Sequence, residues 1–241
     1  HVTNIPNGVL SVKSGPAMAA ASAYRINIKG VQTHGSTPWS GIDPIMATAE
    51  LIESLNTIVS RRINIINNPA VVSVGLVKAG TRNNIIPEDA QIMGTIRTFD
   101  PLLRKQIYEE IEQIAKGVAL GTGTEISVEF DVGGFYPVTF NEPKLVNAMK
   151  GSLMEASPGR FYESNIPVTG AEDFSYFSQE VPGMYFWLGI NKPGVGLESA
   201  NFGERTDVAG NHSPYFYVDD SALDEGVRAF VYLIDDYPVK F

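Results

Sequence analysis

The sequence has no cysteine, which excludes disulfide staples and thiolate metal ligands within it. Histidine is scarce: His1, His34 and His212 are the only three, so any imidazole chemistry must be built from them. No apolar run reaches the roughly 18 residues that a membrane-spanning helix needs. Basic residues are outnumbered, 18 Lys and Arg against 27 Asp and Glu, for a net charge of −9. That balance argues against nucleic acid and anionic membrane as partners. No convincing Ser-His-Asp order, Walker loop or dinucleotide fingerprint is present, and Gly194-Val195-Gly196 is too short and in the wrong context for a phosphate loop. The start, His1-Val2-Thr3-Asn4, has neither an initiating methionine nor a signal peptide. The expectation is a soluble chain, cytoplasmic or periplasmic, that begins inside a longer protein.

What is present is ordinary globular composition, 44% hydrophobic and 19% charged over 241 residues, enough for one or two domains. Residues 24 to 29 alternate apolar and polar and predict a strand. Residues 31 to 41 read as a loop. Asp43-Pro44 then opens a helix to about residue 60, because Asp suits an N-cap and Pro lacks only an N–H that the first turn does not use. Strands follow at 71–77 and 90–98. Asp100-Pro101 repeats the helix start, with Gly121 and Gly123 as its stop. A strand at 125–132 completes the series. The order βαββαβ over residues 22–133 is that of a ferredoxin-like domain, with one sheet face left open for a partner. Beyond Gly133-Gly134, helices are expected at 142–156, 172–179 and 219–237. The last carries an apolar stripe of Leu223, Val227, Phe230, Val231 and Ile234. A buried strand is expected at 184–190 and a long loop, of the kind that is usually functional or disordered, at 191–213. Residues 1–21 group with 134–241, so the ferredoxin-like unit interrupts another domain. The fold class is α/β.

Each histidine taken singly is more often structural than catalytic, but their settings differ from that norm. His34 lies in Gln32-Thr33-His34-Gly35-Ser36-Thr37-Pro38, a loop with no packing use for imidazole. His212 lies in Asn211-His212-Ser213-Pro214 at the end of the long loop. His1 stands at the chain start, where a tag remnant is the plain alternative. Glu172 and Asp173 are adjacent, and two neighbours on a helix cannot share a face; helix-dipole acids are their plain alternative. Asn84 follows a turn. Arg97 sits on a strand, where a guanidinium suits bidentate binding of a carboxylate, although an ordinary strand arginine explains it equally.

These strings occur together in one order: His1-Val2, Thr33 to Pro38 with Gly41-Ile42-Asp43-Pro44, Asn84-Ile85-Ile86-Pro87, Gly94-Thr95-Ile96-Arg97, Gly170-Ala171-Glu172-Asp173-Phe174 and Asn211-His212-Ser213-Pro214. The ordered set resembles the metal-dependent aminoacylase, carboxypeptidase and succinyl-diaminopimelate desuccinylase family, nearest its amidohydrolase branch with hippurate and indole-acetyl-amino-acid hydrolases. The resemblance covers essentially the whole chain. It implies that residues 1–21 and 134–241 are the C-terminal part of a catalytic α/β domain, with 22–133 an inserted lid and dimerisation domain that forms a homodimer. It implies two divalent metal ions, with Zn, Mn, Co and Ni suiting His and carboxylate ligands about equally, and His1 and His212 as metal ligands. His34 would be the catalytic histidine that polarises the scissile carbonyl. Asn84 and Arg97 would bind the substrate, a small N-acyl amino acid or short peptide. The implied activity is hydrolysis of an N-acyl amino acid amide. The family's bridging ligand, a further His and its Glu-Glu pair have no counterpart here, so the chain alone is expected to be inactive and to hold metal poorly if at all. A carboxypeptidase acting on peptides and a non-catalytic dimerisation module are the alternatives.

Overall fold

A computed structural model describes residues 1–66, 68–191 and 209–241. In chain order the strands begin with β1 (Val2–Thr3), β2 (Leu10–Val12), β3 (Gly15–Met18), β4 (Ala20–Lys29) and β5 (Thr33–His34). Helix α1 (Pro44–Thr57) follows, then β6 (Ala70–Ala79), β7 (Ile85–Ile86), β8 (Asp89–Thr98), α2 (Pro101–Thr122) and β9 (Glu125–Tyr136). The remainder holds β10 (Thr139–Asn141), α3 (Pro143–Ala156), β11 (Phe161–Glu163), α4 (Phe174–Glu180), β12 (Phe186–Gly189) and α5 (Leu223–Lys240). The chain divides into two compact units. One is Ala20–Pro137, and the other combines His1–Ala19 with Val138–Phe241. The long loop read over 191–213 lies mostly outside the described residues.

The Ala20–Pro137 unit is a four-stranded antiparallel sheet in the order β6-β8-β4-β9, the ferredoxin-like arrangement that the βαββαβ pattern predicts. Its two helices start alike. The Asp43 carboxylate accepts from Ile45 N at 2.8 Å and that of Asp100 from Leu102 N at 2.7 Å, each with Pro at the first helical position. Such a cap is worth about 1 kcal/mol. Gly121 does not stop α2. The helix runs through it to Thr122, and Gly123, at φ 75°, supplies the left-handed cap. One sheet face is dry: Tyr24, Ile26, Ile92 and Ile96 pack on Leu51 and Ile107. The other is polar, with Arg25 and Asn27 both bound to Glu129, and Gln91 donating to Asn27. Gly94 is required in β8, because a Cβ there would overlap the Ser73 carbonyl and the Tyr24 hydroxyl.

The second unit has a mixed sheet, β1-β12-β2-β11, in which β1 and β11 run parallel to their neighbours. Leu10, Val12, Leu188 and Ile190 pack there against Val146, Leu153 and Ala229. Asn141 is fully buried and saturated. It donates to the Lys13 and Tyr185 carbonyls and accepts from Tyr185 N, so the β3–β10 ribbon is stitched to the approach of β12.

Helix α5 departs from the expected packing. Its predicted apolar stripe is exposed, with Val227 64%, Phe230 60% and Ile234 70% accessible. The buried side is small or ion-paired instead: Ala222, Ala229 and Glu225, the last held by Arg160 at 2.6 Å and Arg228 at 3.0 Å. Ala229 lets α5 approach closely, while the bulky residues fall on the opposite arc. No helix among the described residues is long and apolar enough to cross a membrane.

Candidate metal and substrate sites

In the unit built on β1 and β12, His1 immediately precedes β1. Its nitrogen donates to the Phe186 carbonyl at 3.0 Å, and its carbonyl accepts from Leu188 N at 2.8 Å. The ring nitrogen Nδ1 lies 2.6 Å from the Val2 carbonyl. A carbonyl only accepts, so Nδ1 carries a proton, and in the neutral ring Nε2 keeps the lone pair that a metal ligand needs. The ring meets Trp187 edge-on at 5.5 Å, and Trp187 meets Tyr185 at 5.1 Å.

The same Val2 carbonyl accepts from the Asn211 side-chain amide at 3.0 Å, and Thr3 Oγ1 lies 3.5 Å from Asn211 Oδ1. A contact across the length of the chain therefore ties the segment holding His212 to the segment holding His1. His212 itself has φ 72°, a left-handed conformation that costs a non-glycine residue about 1 kcal/mol or more and concentrates at functional sites. The turn is closed by Ser213 N donating to the Gly210 carbonyl at 3.1 Å. The segments that carry two of the three histidines are thus in contact through Asn211. Among the described residues no group of three or more His, Asp and Glu is close enough to hold a metal ion.

Glu172 and Asp173 precede α4 rather than lying in it, so the helical-face argument does not apply to them. Burial opposes charge on Glu172. Hydrogen bonds from Asp173, the Tyr185 hydroxyl (3.0 Å) and Phe174 N outweigh it, with His1 adding to them, and hold Glu172 below the usual carboxylate range. Sharing that bond pushes Asp173 up. Burial first, then the Glu172 carboxylate, drives the Tyr185 phenol far above its ordinary value. Tyr185, Trp187 and Asn211 were not singled out by sequence. The signal for the first two was the alternation of Tyr185 and Trp187 with the core residues Phe186 and Leu188.

His34 belongs to the other unit. The two-residue ribbon of β5 and β7 pairs His34 with Ile85 and Thr33 with Ile86. Gly35 N donates to the Asn84 carbonyl at 2.8 Å, and a Cβ on Gly35 would press within 3.1 Å of the Asn84 backbone. His34 and Asn84 are therefore brought together. The exposed imidazole accepts at Nδ1 from Ser36 N (3.1 Å) and from Ser36 Oγ (2.7 Å). An accepting Nδ1 in a neutral ring places the proton on Nε2, so this histidine presents a donor. Arg97 lies on the helix-free face of β8, at the far end. It pairs with Ala21 and Val71, whereas Asp89 at the other end pairs with Lys29. At roughly 3.3 Å per residue, Asp89 and Arg97 are about 26 Å apart. Within one chain, Arg97 does not join His34 and Asn84.

Residues 20–122 match the peptidase dimerisation domain. The chain is 34% identical over 234 residues to thermostable carboxypeptidase 2 of Saccharolobus solfataricus, covering 97% of this chain and 56% of that protein. It is 33% identical over 230 residues to N-acetylcysteine deacetylase of Bacillus subtilis, covering 95% and 55%. Among solved structures it is similar to a dinuclear metal binding peptidase of the M20 family from Bacillus subtilis, with a TM-score of 0.70 and 28% identity over 98% of this chain and 55% of that one. The chain thus spans just over half the length of the relatives it matches. Residues 20–122 are a peptidase dimerisation domain, and the chain is a homologue, over nearly its whole length, of M20 peptidases and N-acyl amino acid deacetylases.

Proposed function

We propose that the protein takes part in metal-dependent hydrolysis of the amide bond of N-acyl amino acids. The observation that carries this reading is the pair of histidine settings: Nδ1 of His1 faces the Val2 carbonyl, which also binds Asn211 beside His212, while Nδ1 of His34 accepts from Ser36 N. His1 and His212 would hold divalent cations, and the donor chemistry fits, since neutral imidazole suits Zn, Mn, Co and Ni alike. When bound, such ions lower the pKa of a water and polarise an amide carbonyl. The remaining ligands and a carboxylate base would come from the part of the relatives' length that this chain does not match.

His34 would donate from Nε2 to the oxygen on which charge develops, a role worth about 3–4 kcal/mol when the donor is held in place. Ser36 holds it through the hydrogen bond from its N–H to Nδ1, with its hydroxyl beside the same nitrogen. Asn84 and Arg97 would hold the carboxylate or carbonyl of the substrate. A single small substrate cannot reach both ends of β8, so His34 with Asn84 and Arg97 would act on one molecule only when two copies contribute. That supports a homodimer through the Ala20–Pro137 unit.

The test is a panel of N-acetyl amino acids and dipeptides, offered to the full-length gene product loaded in turn with Zn, Mn, Co and Ni. Release of amine from N-acetyl amino acids is expected, with a dependence on added metal. Hydrolysis of dipeptides alone would transfer the protein to the carboxypeptidase reading, and no hydrolysis of either class would remove the proposal.

A further inference from the structure

Trp39 is 80% accessible, the largest apolar side chain that the Ala20–Pro137 unit leaves in solvent. A lone exposed hydrophobic residue is ordinary on a protein surface. This one shares a loop with His34, and the loop is held rigidly. Residues 31–42 are pinned at their base, where Val31 N donates to the Ile42 carbonyl at 2.9 Å and Ile42 N to the Val31 carbonyl at 3.0 Å. A Cβ on Gly41 would overlap the Val31 carbonyl, so glycine is what lets the two ends close. Within the loop, Thr37 N donates to the His34 carbonyl at 2.8 Å and Ser40 N to the Thr37 carbonyl at 3.0 Å. The Thr33 hydroxyl donates to the Thr37 carbonyl at 3.3 Å, and the Thr37 hydroxyl to the His34 carbonyl at 3.3 Å. Trp39 lies in the single turn Pro38–Ser40, so these bonds fix it relative to the backbone of His34. Compact loops with closed ends and internal bonds are frequently functional.

Val31 at the base of the loop and Ile45 and Met46 in the first turn of α1 are exposed as well. Apolar surface is therefore offered on both sides of Trp39 along the chain. What covers the indole follows from where His34 acts. The loop lies inside the peptidase dimerisation domain, and under the proposed function His34 and Arg97 serve one substrate only when two copies contribute. A loop that carries His34 to a shared site carries Trp39 with it, because the bonds between them leave little freedom to part. Interfaces draw most of their affinity from a few buried anchors, with Trp among the residues most enriched there. An anchor that is already rigid loses little entropy on docking.

We propose that Trp39 is the anchor that seats the His34 loop on a second copy of the chain. It is a positioning residue: it touches no reacting atom and fixes the place of the His34 donor. This rests on the homodimer part of the proposed function.

The test labels the full-length gene product with fluorotryptophan and follows the fluorine NMR signal that Trp39→Phe removes. The change of that signal between light and heavy water reports water at the ring, and sedimentation gives the assembly state. In the dimer, with no substrate present, the Trp39 signal is expected to lose most of its solvent shift. Trp39→Ala should weaken dimerisation by about thirtyfold. At concentrations where this variant is still dimeric, kcat should fall about tenfold with KM and bound metal little changed, and Trp39→Phe should recover part of both losses. A dimer in which Trp39 keeps its full solvent shift, or whose affinity Trp39→Ala leaves unchanged, overturns the anchor while the homodimer stands. Shielding that arises only after N-acetylalanine is added assigns the indole to the substrate and overturns it as well. A protein that stays monomeric at every concentration removes the homodimer reading, and the anchor with it.

Discussion

The two structured histidine sites are built on the same ring and set in opposite directions. In one unit a backbone carbonyl accepts from Nδ1–H of His1, which in the neutral ring leaves Nε2 to accept. In the other, a backbone N–H and a hydroxyl from Ser36 occupy Nδ1 of His34 and force Nε2 to donate. The difference teaches that the partner of the far ring nitrogen, not the residue type, assigns the role. A lone pair suits a cation, and an N–H suits an oxygen that gains charge in the transition state.

The largest effects should separate the two sites. His1→Ala or His212→Ala is expected to abolish activity together with bound metal, read by elemental analysis of the purified full-length protein. His34→Ala should lower kcat by about 10²–10³ with metal content unchanged. Metal loss in His34→Ala, or full metal retention in both of the others, breaks the contrast. Next in size is Asn211→Ala, which removes the tether to Val2. Metal affinity should fall about 10–100-fold, as for other residues that orient a ligand, with little change in kcat at saturating metal. Arg97→Ala should raise KM about tenfold and lower kcat less, and equal losses in both would count against a binding role. The smallest effect belongs to Ser36→Ala. It deletes the hydroxyl and keeps the backbone N–H, so kcat should fall only a few-fold, by the loss of roughly 1 kcal/mol of hydrogen bonding.

The ferredoxin-like unit was legible because its signals are local and repeated. Asp43-Pro44 and Asp100-Pro101 announce two helices through one capping chemistry, and alternation over residues 24–29 gives a strand that is apolar on one face only. The other unit spoke less clearly. Its strands are two to four residues long, too short to carry a period. Its helix α5 shows an apolar arc that any sequence reading would turn inward, yet Ala222 and Ala229 face the core and Glu225 is buried by pairing with Arg160 and Arg228. At the sites, residue identity pointed to His1, His34 and His212, whereas their tautomers did not follow from identity. The partners are a neighbouring carbonyl for His1 and a serine two residues on for His34. Arg97 shows the converse: its motif grouped it with His34 and Asn84, and the register of β8 separates them.

The most direct measurement is the ¹⁵N chemical shift of each imidazole nitrogen, recorded on this chain at neutral pH with labelled histidine and assigned through His34→Ala and His212→Ala. His1 is predicted to be the Nδ1–H tautomer and His34 the Nε2–H tautomer. Finding the same tautomer at both, or the reverse pair, would contradict the opposed roles proposed for the two histidines.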